Sequence, residues 1–244
     1  MTGSPAGDPA GAPGAGPGTP RPDDDAPPAA LRPARGARAE SELVEKRSRF
    51  LAYAARADTA EDARALLAAT RAEHPQARHH CSAWILPVDG GGPPVAHSSD
   101  DGEPSGTAGR PMLDRLSGAG LEAVAVVVVR YFGGTLLGTG GLVRAYGDAV
   151  GGVLAGLPLV RVRVLTRCTV AADHATGARI EAELRSSTAS LISVLDVRWG
   201  PDGVELDVTT DDPAGLDART AELSAGAART TEIGPHEVEL TLDE

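Results

Sequence analysis

The run Ala123-Val124-Ala125-Val126-Val127-Val128-Val129-Arg130-Tyr131 decides how this chain folds. Its apolar part, Ala123 to Val129, has no polar residue at alternate positions, so both faces of the strand it forms need cover. Loops rich in glycine, hydroxyls and charge flank it. His97-Ser98-Ser99-Asp100-Asp101-Gly102-Glu103-Pro104-Ser105-Gly106-Thr107-Ala108-Gly109-Arg110-Pro111 comes before, and Phe132-Gly133-Gly134 and Gly138-Thr139-Gly140-Gly141 come after. Binding and catalysis concentrate on loops held by a rigid scaffold, so the functional residues are sought here.

Upstream, Leu43–Lys46 and Arg49–Ala55 read as strands around a turn at Arg47-Ser48. Asp58 or Thr59 caps a helix to about Glu73, which His74-Pro75 ends. His80 to Leu86 is a strand. Alternation puts His79, Cys81, Ala83 and Ile85 on one face and His80, Ser82, Trp84 and Leu86 on the other. Pro111 opens a short helix to about Leu116, and Gly138–Gly141 opens a second with Leu142, Tyr146, Ala149, Val153 and Leu157 on one stripe. The order predicts an α+β sheet domain over residues 40–158 with its helices on one face.

Beyond Pro158 the pattern changes. Val160–Val170 is a strand, Asp173–Arg185 a helix, Ala189–Trp199 and Val204–Thr209 a hairpin, Pro213–Ala228 a helix and Thr231–Leu242 a strand. This βαββαβ order predicts a ferredoxin-like domain over 159–244. Residues 1–39 hold almost no large apolar side chain except Leu31, so they cannot offset their ordering entropy and are expected to be a disordered tail. The fold class is therefore α+β, two domains behind a tail.

Two cysteines in 244 residues, Cys81 and Cys168, make no disulfide framework and suit a reducing compartment. No run approaches the roughly 20 apolar residues of a membrane span, and the N-terminus lacks a signal peptide's apolar core. The expectation is a soluble cytoplasmic protein with no membrane partner. Net charge is −11, and the segments 1–39, 40–158 and 159–244 carry 0, −3 and −8. The last third is thus a poor phosphate-facing surface.

The loops offer two chemistries. Gly138-Thr139-Gly140-Gly141 precedes a helix, so its backbone amides and the Thr139 hydroxyl suit an anion. No Gly-Lys-Ser/Thr follows, and Val143 stands where a dinucleotide fingerprint needs a third small residue. Arg110, Arg130 and Arg144 would add bidentate phosphate contacts if the loops converge, or would pair with carboxylates and pin the loops. Asp148, four residues on, is the simplest partner for Arg144. Asp100, Asp101 and Glu103 are the candidate catalytic carboxylates, as general base or magnesium ligands, against a turn-and-cap role. His79 and Cys81 share a strand face but lack the second ligand pair of a zinc site, so no metal site is assigned.

These motifs resemble the IMPACT/YigZ family. The resemblance rests on Asp100-Asp101-Gly102-Glu103-Pro104 with Gly106-Thr107-Ala108-Gly109, on Val128-Val129-Arg130-Tyr131-Phe132-Gly133-Gly134, and on Leu137-Gly138-Thr139-Gly140-Gly141-Leu142-Val143-Arg144-Ala145-Tyr146. Ala77-Arg78-His79-His80-Cys81-Ser82-Ala83-Trp84 fits the same pattern. The resemblance implies an N-terminal domain similar to the second domain of ribosomal protein S5, a ferredoxin-like second domain, and a link to translation. RNA or the ribosome is then the expected partner, bound through Arg110, Arg130, Arg144 and Gly138–Gly141 without a cofactor. The alternatives are an enzyme acting on a phosphorylated or nucleotide-like small molecule, with magnesium, and a purely protein-interaction module.

Overall fold

The computed structural model describes residues 30–88, 92–187 and 191–242. The N-terminal sheet has five strands: β2 (Arg38–Glu45), β3 (Ser48–Arg56), β4 (His79–Val88), β5 (Gly92–Ser99) and β6 (Val124–Tyr131). They lie in the antiparallel order β2-β3-β6-β4-β5, with the valine run central. Alternation divides that run. Val124, Val126 and Val128, with Phe50, Ala52, Cys81 and Ala83, pack in one core with α2 (Gly109–Gly118) and α3 (Thr139–Ala155). Ala125, Trp84 and Leu86 pack instead with α1 (Ala60–Glu73), through Ala63 and Leu66. Helices therefore cover both faces, not one as the element order predicts. A strand apolar on both sides needs two covers; burial of each β6 valine contributes on the order of 1.5–2 kcal/mol.

Local signals set the elements. Thr59 closes a capping box on α1: its hydroxyl accepts from the Asp62 amide, and the Asp62 carboxylate accepts from the Thr59 amide at 2.9 Å. The β2–β3 turn falls one residue earlier than Arg47-Ser48. Lys46 and Arg47 take φ of 46° and 68°, the left-handed pair that a two-residue hairpin loop requires, and Ser48 is buried in β3.

The second unit comprises β7 (Leu159–Ala172), α4 (His174–Ser186), β8 (Ser193–Gly200), β9 (Gly203–Thr210), α5 (Pro213–Ser224) and β10 (Arg229–Thr241). β10 and β9 flank β7 and β8 is the outer strand, the sheet order of the ferredoxin-like arrangement. Ile180, Leu184 and Leu216 on its helices pack on Cys168, Val170, Leu206 and Val208. The expected start of the hairpin at Ala189 lies outside the described residues.

Ordered structure begins before residue 40. β1 (Leu31–Pro33) pairs with β7 at Leu159–Arg161. The Leu31 amide donates to Gly120 O and the Leu31 carbonyl accepts from the Glu122 amide. Buried Arg32 pairs with Glu122 at 2.6 Å and Glu237 at 2.7 Å, tying the two units together, and Arg56 reaches Glu239 at 2.7 Å. Composition predicts disorder to residue 39 because every one of these partners is remote in sequence. Residues 1–29 lie outside the described set. No helix of the described residues is long and apolar enough to cross a membrane.

Candidate functional site

The acidic loop is held from inside. Asp100 Oδ1 accepts from the amides of Ala108 (2.9 Å) and Gly109 (2.8 Å), and Oδ2 from that of Gly106 (2.8 Å). Burial raises its pKa, but the three amides outweigh burial and hold the carboxyl below the ordinary carboxylate range. Asp101, at φ 42°, accepts from Arg71 Nη2 on one oxygen and from the His80 amide on the other, each at 2.7 Å. Buried Glu103 accepts from Arg130 Nη1 and from the Tyr146 hydroxyl, each at 2.8 Å. All three candidate catalytic carboxylates are thus acceptors for the chain's own donors. Among the described residues no group of three His, Cys, Asp or Glu is arranged to hold a metal ion.

Cys81 joins the same network. Its thiol is buried, 3.0 Å from the Asp100 carbonyl oxygen and 3.3 Å from the Tyr146 hydroxyl. Burial pushes its pKa up to about 12, so the nucleophilic thiolate is suppressed at neutral pH. His79 Nδ1 lies 3.0 Å from the Asp101 carbonyl oxygen, while His80 points to the other face, where Nε2 meets the His74 carbonyl oxygen at 3.1 Å.

The three predicted arginines do not share one cleft. Arg130 is buried beside Glu103. Arg110 is exposed and paired with Asp114 at 2.7 Å. Arg144 is exposed and, with Gly140, Val143 and Gly147, lines a separate groove of about 490 Å³ against Pro111, Asp114 and Arg115. Asp148 pairs with Arg115 (3.1 Å) instead of Arg144. The cause is helix geometry: Arg144 and Tyr146 are about 200° apart around α3, so when Tyr146 turns in to Glu103, Arg144 turns out.

Gly138 takes φ 73° and its carbonyl accepts from the Leu142 amide at 2.9 Å, starting α3. No side chain caps that end and its first turn holds no acid. Gly141 also serves packing, since a Cβ there would stand 3.0 Å from Leu137 Cβ.

A different groove, about 430 Å³, opens at the end of β6. Gln76, Arg78, His79, Arg130, Tyr131, Phe132 and Leu136 line it. Phe132 and Leu136 stand 56% and 83% exposed, unusual for large apolar side chains on one short loop. The Arg130 guanidinium carbon lies 5.7 Å from the Phe132 ring centroid and 5.5 Å from that of Phe50. Gly133 brings the β2–β3 turn alongside, for a Cβ there would fall 2.0 Å from the Arg47 carbonyl carbon. Arg47 Nη2 then donates to Thr135 Oγ1 at 2.9 Å. Among the described residues no carboxylate pairs with Arg47 or Arg78. Arg47, Arg78, Phe132 and Leu136 were not among the predicted site residues. The available signal was an aromatic pair and two glycines directly after a buried strand.

By fold the chain is a two-unit α+β protein whose acidic loop is pinned to His80 and Arg130 on neighbouring strands of a sheet that helices cover on both faces. Residues 46–154 match the Impact N-terminal domain. The IMPACT family member YigZ of Escherichia coli is 46% identical over 151 residues, 61% of this chain and 72% of that protein. The IMPACT family member YvyE of Bacillus subtilis is 39% identical over 148 residues, 61% and 67% of the two chains. A crystal structure titled only as a hypothetical protein superposes with a TM-score of 0.56 at 38% identity, covering 85% of this chain and 98% of that one. The chain belongs to the IMPACT family.

Proposed function

We propose that this protein is an RNA- or ribosome-associated binding protein acting in translation, and that the groove at the end of β6 is its principal contact. The observation that carries the reading is exposed Phe132 in a groove that Arg78 also lines, with Arg47 bonded to Thr135 on the same loop, both cations with no carboxylate partner among the described residues. Free cations beside an exposed ring are the elements of a polyanion site that also engages bases. Translation is the process the family resemblance implies. Arg144 and the uncapped amides that open α3 add phosphate contacts on the neighbouring helix face. The net −11 does not oppose this, because a local cationic groove steers an anion whatever the total. The alternative of an enzyme on a phosphate-bearing small molecule needs a carboxylate free to take a proton or magnesium, and Asp100, Asp101 and Glu103 each already accept from donors of the chain itself.

Ribosome co-sedimentation and RNA binding across a salt series test the reading. Binding weakens steeply with added salt, and Arg47→Ala with Arg78→Ala lowers the slope of log affinity against log salt by about 1.4, two single-strand phosphates. Absent or salt-insensitive binding would remove the reading.

A further inference from the structure

Within that function, and resting on it, we infer that the groove selects single-stranded RNA by stacking one unpaired base on Phe132. Three observations converge. Phe132 is more than half exposed, although it follows directly on the most buried strand of the protein. Its ring is no loose end: the Arg130 guanidinium packs 5.7 Å from its centroid, and Gly133 locks the following loop against the β2–β3 turn. A rigid, solvent-facing ring loses little entropy when a base covers it. Second, Arg130 lines the groove with its Nη1 held by buried Glu103, so the cation behind the Phe132 ring is fixed in place. Third, Arg78 and Arg47 supply charge at the rim for the backbone on either side of the stacked base.

The lining favours an unpaired strand. Leu136, 83% exposed, stands on the same loop as Phe132, so the groove offers a second apolar side chain for a splayed base. Bases inside an A-form duplex show only their edges, and their flat faces are stacked on one another and closed to a protein ring. Aromatic side chains that stack bases are accordingly a feature of single-strand sites.

The test uses the full chain and three labelled probes: a 12-nucleotide mixed-sequence RNA, its 12-base-pair duplex, and the same single strand with abasic positions. Variants are Phe132→Ala, Phe132→Trp and Arg78→Ala, each checked for an unchanged melting curve. Wild type prefers the intact single strand. Phe132→Ala weakens that complex about 5- to 150-fold, the range expected for one lost base–aromatic stack, and leaves duplex binding unchanged. Phe132→Trp restores the preference, and Arg78→Ala weakens all three probes alike. Equal binding of duplex and single strand, or an intact single-strand complex in Phe132→Ala while Arg78→Ala is weakened, overturns the inference and leaves the broader function standing. Ribosome co-sedimentation by wild type without free-RNA binding does the same. Failure to bind RNA and ribosomes alike removes both.

Discussion

Glu103→Ala should be among the most damaging single substitutions in the N-terminal unit. Glu103 and Arg130 are only 3% and 8% exposed at their side chains, and the carboxylate also accepts from buried Tyr146. Removing one member of a buried pair leaves the other charge uncompensated, at about 3–5 kcal/mol. Here the lower end applies, because Arg130 keeps its contacts with the Phe50 and Phe132 rings and borders the groove. The unpartnered Tyr146 hydroxyl adds about 1 kcal/mol, for a total near 4 kcal/mol. With a urea dependence of about 1.5–2 kcal/mol per molar, the midpoint falls by about 2–3 M. Trp84, in the core under α1, reports the transition once Trp199 in the second unit is replaced by Phe. Combining Glu103→Leu with Arg130→Met should recover most of the loss, since apolar replacement of a buried pair is often nearly neutral. If Glu103→Ala costs less than about 1 kcal/mol, or the double variant shows no coupling, Glu103 does not hold Arg130 and the loop is pinned by something else.

Asp100→Asn should loosen the loop before α2, by about 2 kcal/mol, because three amides lose a charged acceptor. Since folding lowers the Asp100 pKa, its contribution is present above the unfolded value and disappears as pH falls through the folded one; acid titration of wild type should show this loss below about pH 4, and the variant should lack it. Cys81 carries the opposite sign. Burial raises its pKa to about 12, so stability falls as pH rises from the unfolded thiol's value near 9 towards 12, and native Cys81 should resist thiol reagents until urea unfolds the chain. Gly133→Ala should cost about 1–3 kcal/mol and raise amide exchange in the β2–β3 turn, because the added methyl collides with the Arg47 backbone; a variant as stable as wild type would show that the turn has room to move.

Much of the architecture is local chemistry and is legible in the sequence. The Thr59 box, the alternation of Cys81 and Ala83 against Trp84 and Leu86, and the βαββαβ order each follow from neighbours within one element, and each appears where the residues put it. The carboxylates and arginines of the motif loops could be named as candidates, but their roles could not. Whether Glu103 is a base or the counter-charge of Arg130 depends on a partner 27 residues away, and whether Arg144 joins them depends on the rotation of α3. The groove itself was hidden because exposure of Phe132, and the absence among the described residues of a carboxylate paired with Arg78, are properties of assembled surfaces. β1 was missed for the same reason: Leu31–Pro33 has no pattern of its own, and β7, Glu122 and Glu237 order it from a distance. The chain's pattern by itself determined its helices, its strands other than β1 and the two-unit plan, since those depend on short-range periodicity and capping. Only the tertiary structure decided which charges neutralise one another and which stay free, because Coulomb energy depends on distance through space and not on separation along the chain.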